Sequence, residues 1–197
     1  QNRETLDAVA EHLAMRGSYC PGTALPQYGG GVFWHPDRGR PMRNSQGSAV
    51  RTQRMWQAVE ATGSDCRLRI GNVHLPSERQ LSREQAAAQR LAELEDLIAS
   101  AEAGLDIIVG DFNEQPDGPV GECLARHGYV DAAATSDRAR APTNIAEGRG
   151  DQIWIKQRMS DRGLMHDVAD KQRLARRDAG RHYLSDHLPL WITVEHR

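Results

Sequence analysis

The apolar run Leu105-Asp106-Ile107-Ile108-Val109 stops at Gly110-Asp111-Phe112-Asn113, and that stop constrains the fold more than any other feature of the chain. A run of this length and content reads as a buried strand, and α/β enzymes keep their polar chemistry where such strands give out. Three further fragments repeat the pattern. Leu68-Arg69-Ile70-Gly71-Asn72-Val73 alternates like a strand and delivers His74 to a loop. Gly150-Asp151-Gln152-Ile153-Trp154-Ile155 sets an acid at the mouth of an apolar strand. Ser185-Asp186-His187 precedes a closing strand, Leu188-Pro189-Leu190-Trp191-Ile192-Thr193-Val194. Four strand ends carrying His, Asp, Asn, Asp and His point to one active site rather than four unrelated loops.

The segments between them read as helices, hairpins and turns. Thr5 to Met15 has Leu6, Val9, Ala10 and Leu13 at helical spacing, acids Glu4 and Asp7 near its start, and Gly17 to close it. Gly29 to Trp34 reads as a glycine loop into a strand, with a polar turn through His35 to Gly39. No Gly-Lys-Ser/Thr follows those glycines, which excludes a phosphate-binding loop of that type. Met55 to Glu60 and Cys66 to Val73 form an expected antiparallel pair around residues 61–65. Ser82 to Ala101 is the strongest helix, with Ser82 as its N-cap and Leu91, Leu94, Leu97 and Ile98 as a core-facing stripe. A second helix is expected over Pro119 to His127, ended by Gly128, followed by a long surface connection over 131–149. Strands separated by helices, with hairpins among them, predict an α/β layered sandwich.

With 197 residues, 39% of them hydrophobic, the chain suits one globular domain with a core of its own. No apolar stretch approaches the ~20 residues that cross a bilayer, and no signal segment opens the chain. The expectation is a soluble chain, cytoplasmic ahead of secreted. Cys20, Cys66 and Cys123 have no Cys-x-x-Cys spacing and are expected as thiols. A formal net charge of -2 excludes nucleic-acid binding by bulk electrostatics alone. The basic residues are nonetheless almost all arginine, since Lys156 and Lys171 are the only lysines. Several crowd into Lys171-Gln172-Arg173-Leu174-Ala175-Arg176-Arg177 and Arg181, either a grip for a polyanion or a solvated loop.

Taken in order, Asn72-Val73-His74-Leu75-Pro76-Ser77, Gly110-Asp111-Phe112-Asn113, Asp151 at a strand start and Ser185-Asp186-His187 resemble the motifs of the endonuclease/exonuclease/phosphatase superfamily. The match runs from about Gly29 to the C-terminus. It implies the DNase I-like fold, two mixed β-sheets flanked by helices, as a single domain over residues 1–197. It also implies a phosphodiester hydrolase that uses Mg²⁺ or Mn²⁺, foremost a nuclease with a nucleic-acid substrate. The alternatives are a phospholipid or inositol-phosphate hydrolase of the same fold, and a truncated or degenerate domain that binds without cleaving. Oligomeric state stays open.

Imidazole titrates near neutral pH, so His187 suits the general base that activates water. By resemblance Asp151 orients it, Asp186 helps hold the metal, and His74 contacts the phosphate or aids the leaving group. An exonuclease III type of abasic-site enzyme lacks a His at the place of His74. Asp111 and Asn113 alternate along an extended segment, so both would leave one face toward a phosphate or metal, while Asp186 would point opposite to His187. Superfamily members also carry a metal-binding Glu after a Gln near the start. Here Asn2 follows Gln1, and Glu4 lies two residues on. A fragment lacking its first strands, a member using Glu4, and a variant with impaired metal binding all remain open. The other histidines, His12, His35, His127, His166, His182 and His196, read as surface or structural. Exposed aromatic or apolar loops would favour a membrane substrate; none is evident, with Trp34 and Trp56 left open.

Overall fold

Helix α1 (Arg3–His12) opens the first of two compact units, Gln1–Asn113 and Glu114–Arg197. The computed structural model describes residues 3–46, 54–62, 67–79, 81–101, 104–134, 136–137, 139–161, 164–174 and 185–194. Gln1, Asn2, residues 63–66 with Cys66, the arginines Arg176, Arg177 and Arg181, and His182 and His196 lie outside them. Helix α1 ends three residues before the expected Met15, because Ala14 takes φ 51 and cannot continue it. Gly17 is therefore not the helix stop; it lies inside β1 (Arg16–Cys20). It is needed there for space, since a Cβ would stand 2.9 Å from the Phe33 ring. β1 pairs antiparallel with β2 (Gly30–Trp34), so two of the glycines expected in a loop belong to a strand.

The remainder of this unit is a mixed sheet in the order β3-β4-β5-β6. β3 (Gly39–Gln46) begins where the sequence suggested only a turn. β4 (Met55–Thr62) and β5 (Arg67–His74) form the expected antiparallel pair, with Met55 opposite His74. β5 then runs parallel to β6 (Ile107–Asp111), which sets His74 opposite Asp111. Helix α2 (Arg83–Ser100) makes the crossover between them and packs against β3 and β4. Its start carries a full capping box: the Ser82 hydroxyl accepts from Gln85 N and the Gln85 side chain accepts from Ser82 N. A cap of this kind contributes about 1 kcal/mol. Each fully buried leucine contributes about 1.5–3 kcal/mol, so Leu94 and Leu97, both 0% exposed, outweigh it. Leu91 and Ile98 sit at the margin of that stripe, which instead takes in Ala86, Arg90 and Glu93. Trp56 is core, 1% exposed with its indole N–H donated to Asp96, and is not available to a membrane surface.

In the second unit α3 (Pro119–Arg126) starts at Gly118, which has no side chain to cap it. Glu114 Oε2 fills that role, accepting from Val120 N at 2.7 Å. Gly128 follows the helix at φ 74, a conformation that favours glycine. β7 (Tyr129–Asp131) pairs antiparallel with β8 (Asp151–Lys156), where Lys156 Nζ lies 3.8 Å above the Tyr129 ring. β9 (Leu164–Val168), unmarked in the sequence, pairs with the closing strand β10 (Leu190–Val194). The stretch 131–149 is the long connection expected, but it is not all surface: Ala132 and Ala133 are buried, and Ala132 N bonds to Ile153 O. Cys20 and Cys123 are buried thiols, and burial pushes the Cys20 thiol up to about 11. Among the described residues, no helix is long and apolar enough to cross a membrane.

Candidate active site

The end of β6 shows why the run is Gly-Asp-Phe-Asn. Gly110 adopts φ 140 with Val73 O only 2.0 Å from where a Cβ would be, so no other residue fits. Phe112 is 0% exposed and anchors the loop from below. Asn113 takes φ 50, a left-handed conformation that Asn tolerates better than most. This overturns the extended alternation expected for Asp111 and Asn113. The chain turns back on itself instead: Asn113 N donates to Asp111 Oδ1 at 2.9 Å and Asn113 Nδ2 to Asp111 Oδ2 at 3.0 Å. The same amide donates to Leu75 O at 2.9 Å, tying the loop after β5 to the loop after β6.

His74 stands beside this turn, its Nε2 3.6 Å from Asp111 Oδ2. Its nitrogen is held by Arg54 Nη1, while Arg54 Nη2 donates to Ser77 Oγ at 2.6 Å. The Arg54 guanidinium also lies 4.6 Å from the Tyr28 ring centroid, and Tyr28 meets the His74 ring edge to face. Burial lowers the pKa of Arg54, with Asp111 and Tyr28 pulling it back up. Arg90, buried on α2, donates to Pro76 O at 3.1 Å and fixes the loop that follows His74. No motif in the sequence marks Arg54 or Tyr28. The one signal for Arg54 was register, since in the β4–β5 hairpin it falls one residue beyond the Met55–His74 pair.

In the second unit Asp151 opens β8 and His187 lies just before β10. His187 Nδ1 is 2.8 Å from Asp151 Oδ2, with the imidazole 44% exposed and the carboxylate 14%. A carboxylate only accepts, so Nδ1 donates and the lone pair is on Nε2. The expectation that Asp186 points away from His187 fails. His187 N donates to Ser185 Oγ at 3.0 Å, closing a turn, and Asp186 Oδ1 comes to 4.0 Å from His187 Nε2. Asp186 is otherwise exposed. Near β7, Arg149 Nη2 reaches both oxygens of Asp131, at 2.9 and 2.7 Å. His166 of β9 is half-buried, and burial lowers its pKa.

Hard oxygen donors are present in both units. Each Asp111 oxygen accepts one N–H of Asn113 and keeps a further lone pair, and the Asn113 amide oxygen is the acceptor left when Nδ2 donates twice. Asp186 offers an exposed carboxylate. Mg²⁺ keeps several waters and takes one or two protein carboxylates plus substrate phosphate, so this donor chemistry fits it. Glu4 lies in the exposed first turn of α1, among Arg3, Asp7, Ala8 and Glu11.

The sequence matches no family model and no curated protein. The fold has clear likenesses among solved structures. One is the human Nocturnin catalytic domain with bound sulfate, 19% identical, covering 98% of this chain and 76% of that one at a TM-score of 0.62. Another is D. rerio TDP2 with a single-strand DNA product, 16% identical over 96% of this chain and 81% of that one, TM-score 0.67. A third is a single-residue variant of the 3' phosphatase NExo from Neisseria, bound to a product DNA hairpin. It is 16% identical and covers 99% of this chain and 85% of that one, at a TM-score of 0.66.

Proposed function

On the DNase I-like fold of the endonuclease/exonuclease/phosphatase superfamily, we propose that this chain is a divalent-metal-dependent phosphodiester hydrolase acting on nucleic acid. Arg54 carries the reading. It is a half-buried cation that makes no ion pair among the described residues, with Asp111 near enough to raise its pKa but its bonds going to an imidazole and a hydroxyl. A desolvated guanidinium without a bonded anion is costly unless an anion arrives, and its planar fork suits phosphoryl oxygens. Sulfate in Nocturnin and DNA in TDP2 and NExo support the anion class and the nucleic-acid substrate.

Each group then has a task. His187 accepts a proton from water through Nε2, and Asp151 holds its Nδ1–H and stabilises the imidazolium that forms. Arg54 and Ser77 bind the phosphoryl group, with His74 beside the leaving oxygen. Asn113 holds Asp111 in one orientation through two hydrogen bonds. Asp111 and Asn113 in the first unit, and Asp186 in the second, are the oxygen donors each unit offers to Mg²⁺ or Mn²⁺, which would neutralise phosphoryl charge when bound. Glu4 is left out of this set, since it lies in the first turn of α1 among Arg3, Asp7, Ala8 and Glu11.

Plasmid DNA, RNA, a bis-aryl phosphodiester and phospholipid vesicles, each with Mg²⁺, with Mn²⁺ and with chelator, test the reading. DNA or RNA should be cleaved with metal and spared in chelator. No cleavage of any substrate, with no metal uptake by calorimetry, sinks the reading and leaves a domain that only binds. Preference for the vesicles would favour the lipid alternative, for which the observation is Met165 and Trp191, 64% and 42% exposed on one face of the β9–β10 pair.

A further inference from the structure

The geometry points to Thr143 as the positioning residue that sets the Asp151–His187 pair, an inference that rests on reading this pair as the water-activating base. Thr143 is 1% exposed, inside a stretch whose sequence suggested only surface. It bonds in both directions. On one side its carbonyl accepts Leu188 N at 2.8 Å, Asn144 forms an antiparallel bridge with His187, and Ile145 N donates to Asp186 O at 2.9 Å. Residues 143–145 thus form a short ladder along 186–188 that fixes where His187 leaves the backbone. On the other side the Thr143 hydroxyl accepts Asp151 N at 3.0 Å, fixing the first residue of β8. The loop is closed on itself, with Thr143 N donated to Gly148 O at 2.8 Å and Gly148 N to Asn144 Oδ1 at 2.9 Å.

The side-chain oxygen allows one residue to serve both partners. The main chain of Thr143 is spent on the His187 segment and on loop closure, so the hydroxyl is the group that reaches Asp151. Catalytic geometry is sensitive to displacements of this size, about 1 Å being worth ~100-fold in rate. A buried hydroxyl with backbone tasks on both sides of the pair is therefore placed to set the rate rather than substrate binding.

The test compares Thr143→Val, which keeps shape and main chain but removes the hydroxyl, with Thr143→Ser, which keeps it. The full chain is assayed on a bis-aryl phosphodiester with saturating metal, and the downfield His187 Nδ1–H proton is followed by NMR, assigned by its loss in His187→Asn. The expectation for Thr143→Val is a kcat about 10- to 100-fold lower at a KM within about twofold. The proton signal should shift or broaden, Thr143→Ser should recover both, and the loss should vanish in an Asp151→Ala background. Thr143→Ala is read in the same way if the valine variant does not fold. A folded hydroxyl-deletion variant with wild-type kcat and an unmoved proton, or an undiminished loss in the Asp151→Ala background, overturns the inference. Should the wild-type chain cleave nothing, the proposed activity fails, and the proton signal alone then decides whether Thr143 sets the pair.

Discussion

His74 and His187 carry the same ring and are held by partners of opposite character. The Arg54 guanidinium only donates, so it takes up the Nε2 lone pair of His74. The Asp151 carboxylate only accepts, so it takes the Nδ1–H of His187 and leaves the lone pair on Nε2. Exposure follows the same division, 24% for the His74 side chain and 44% for that of His187. Two strand-end histidines that look alike in sequence thus differ in what each is bonded to, and the roles proposed for them, anion-site residue and base, rest on that difference. The largest effect should come from testing that division directly. His187→Ala should lower kcat by about 10²- to 10⁴-fold, the range of general base catalysis, with the circular dichroism spectrum unchanged. His74→Ala should cost less, about tenfold, and act partly on KM. A reversed order would exchange the two roles.

The next effect concerns the anion side alone. Arg54→Ala removes the guanidinium from beside His74 and Asp111, and kcat/KM should fall by about 10- to 100-fold, chiefly through KM. Arg54→Lys should recover little, because an ammonium cannot both bond the imidazole and reach Ser77 in a fork. Steady-state kinetics on a short oligonucleotide measures both, and full recovery by lysine would reduce Arg54 to a point charge.

The strand ends were legible because short apolar runs and the acids that stop them survive in one dimension. His74, Asp111, Asp151 and His187 were all read that way, and β4, β5, α2 and α3 with them. What escaped depends on conformation or pairing. The left-handed Asn113 cannot be seen from spacing, so a turn was read as an extended segment. β1, as Arg16-Gly17-Ser18-Tyr19-Cys20, has no apolar alternation, and a glycine soon after a helix mimics a helix stop. Ala132 and Ala133 look like surface because alanine and polar neighbours carry no period; both are buried, with Ala132 N bonded to Ile153 O of β8 and Ala133 N to Asp131 Oδ1. Arg54 was one arginine among many until the register placed it by His74.

The smallest effect lies in the second unit and touches stability rather than rate. His166 sits opposite Ile192, with its Nδ1 3.5 Å from Ser136 Oγ. Burial lowers its pKa below the usual 6.5, Asp131 and Asp167 raise it, and Arg149 lowers it again. The unfolded chain therefore takes up the proton first. The stability contributed by the neutral ring is fully present above 6.5 and is lost as pH falls from there through the folded value. His166→Gln cannot titrate, so its melting temperature should fall less between pH 7 and pH 5 than that of the wild-type chain, by no more than a few degrees. Equal slopes in thermal melts of the two proteins would mean that the folded and unfolded chains hold the His166 proton alike, and that the burial seen on β9 does not reach its ring.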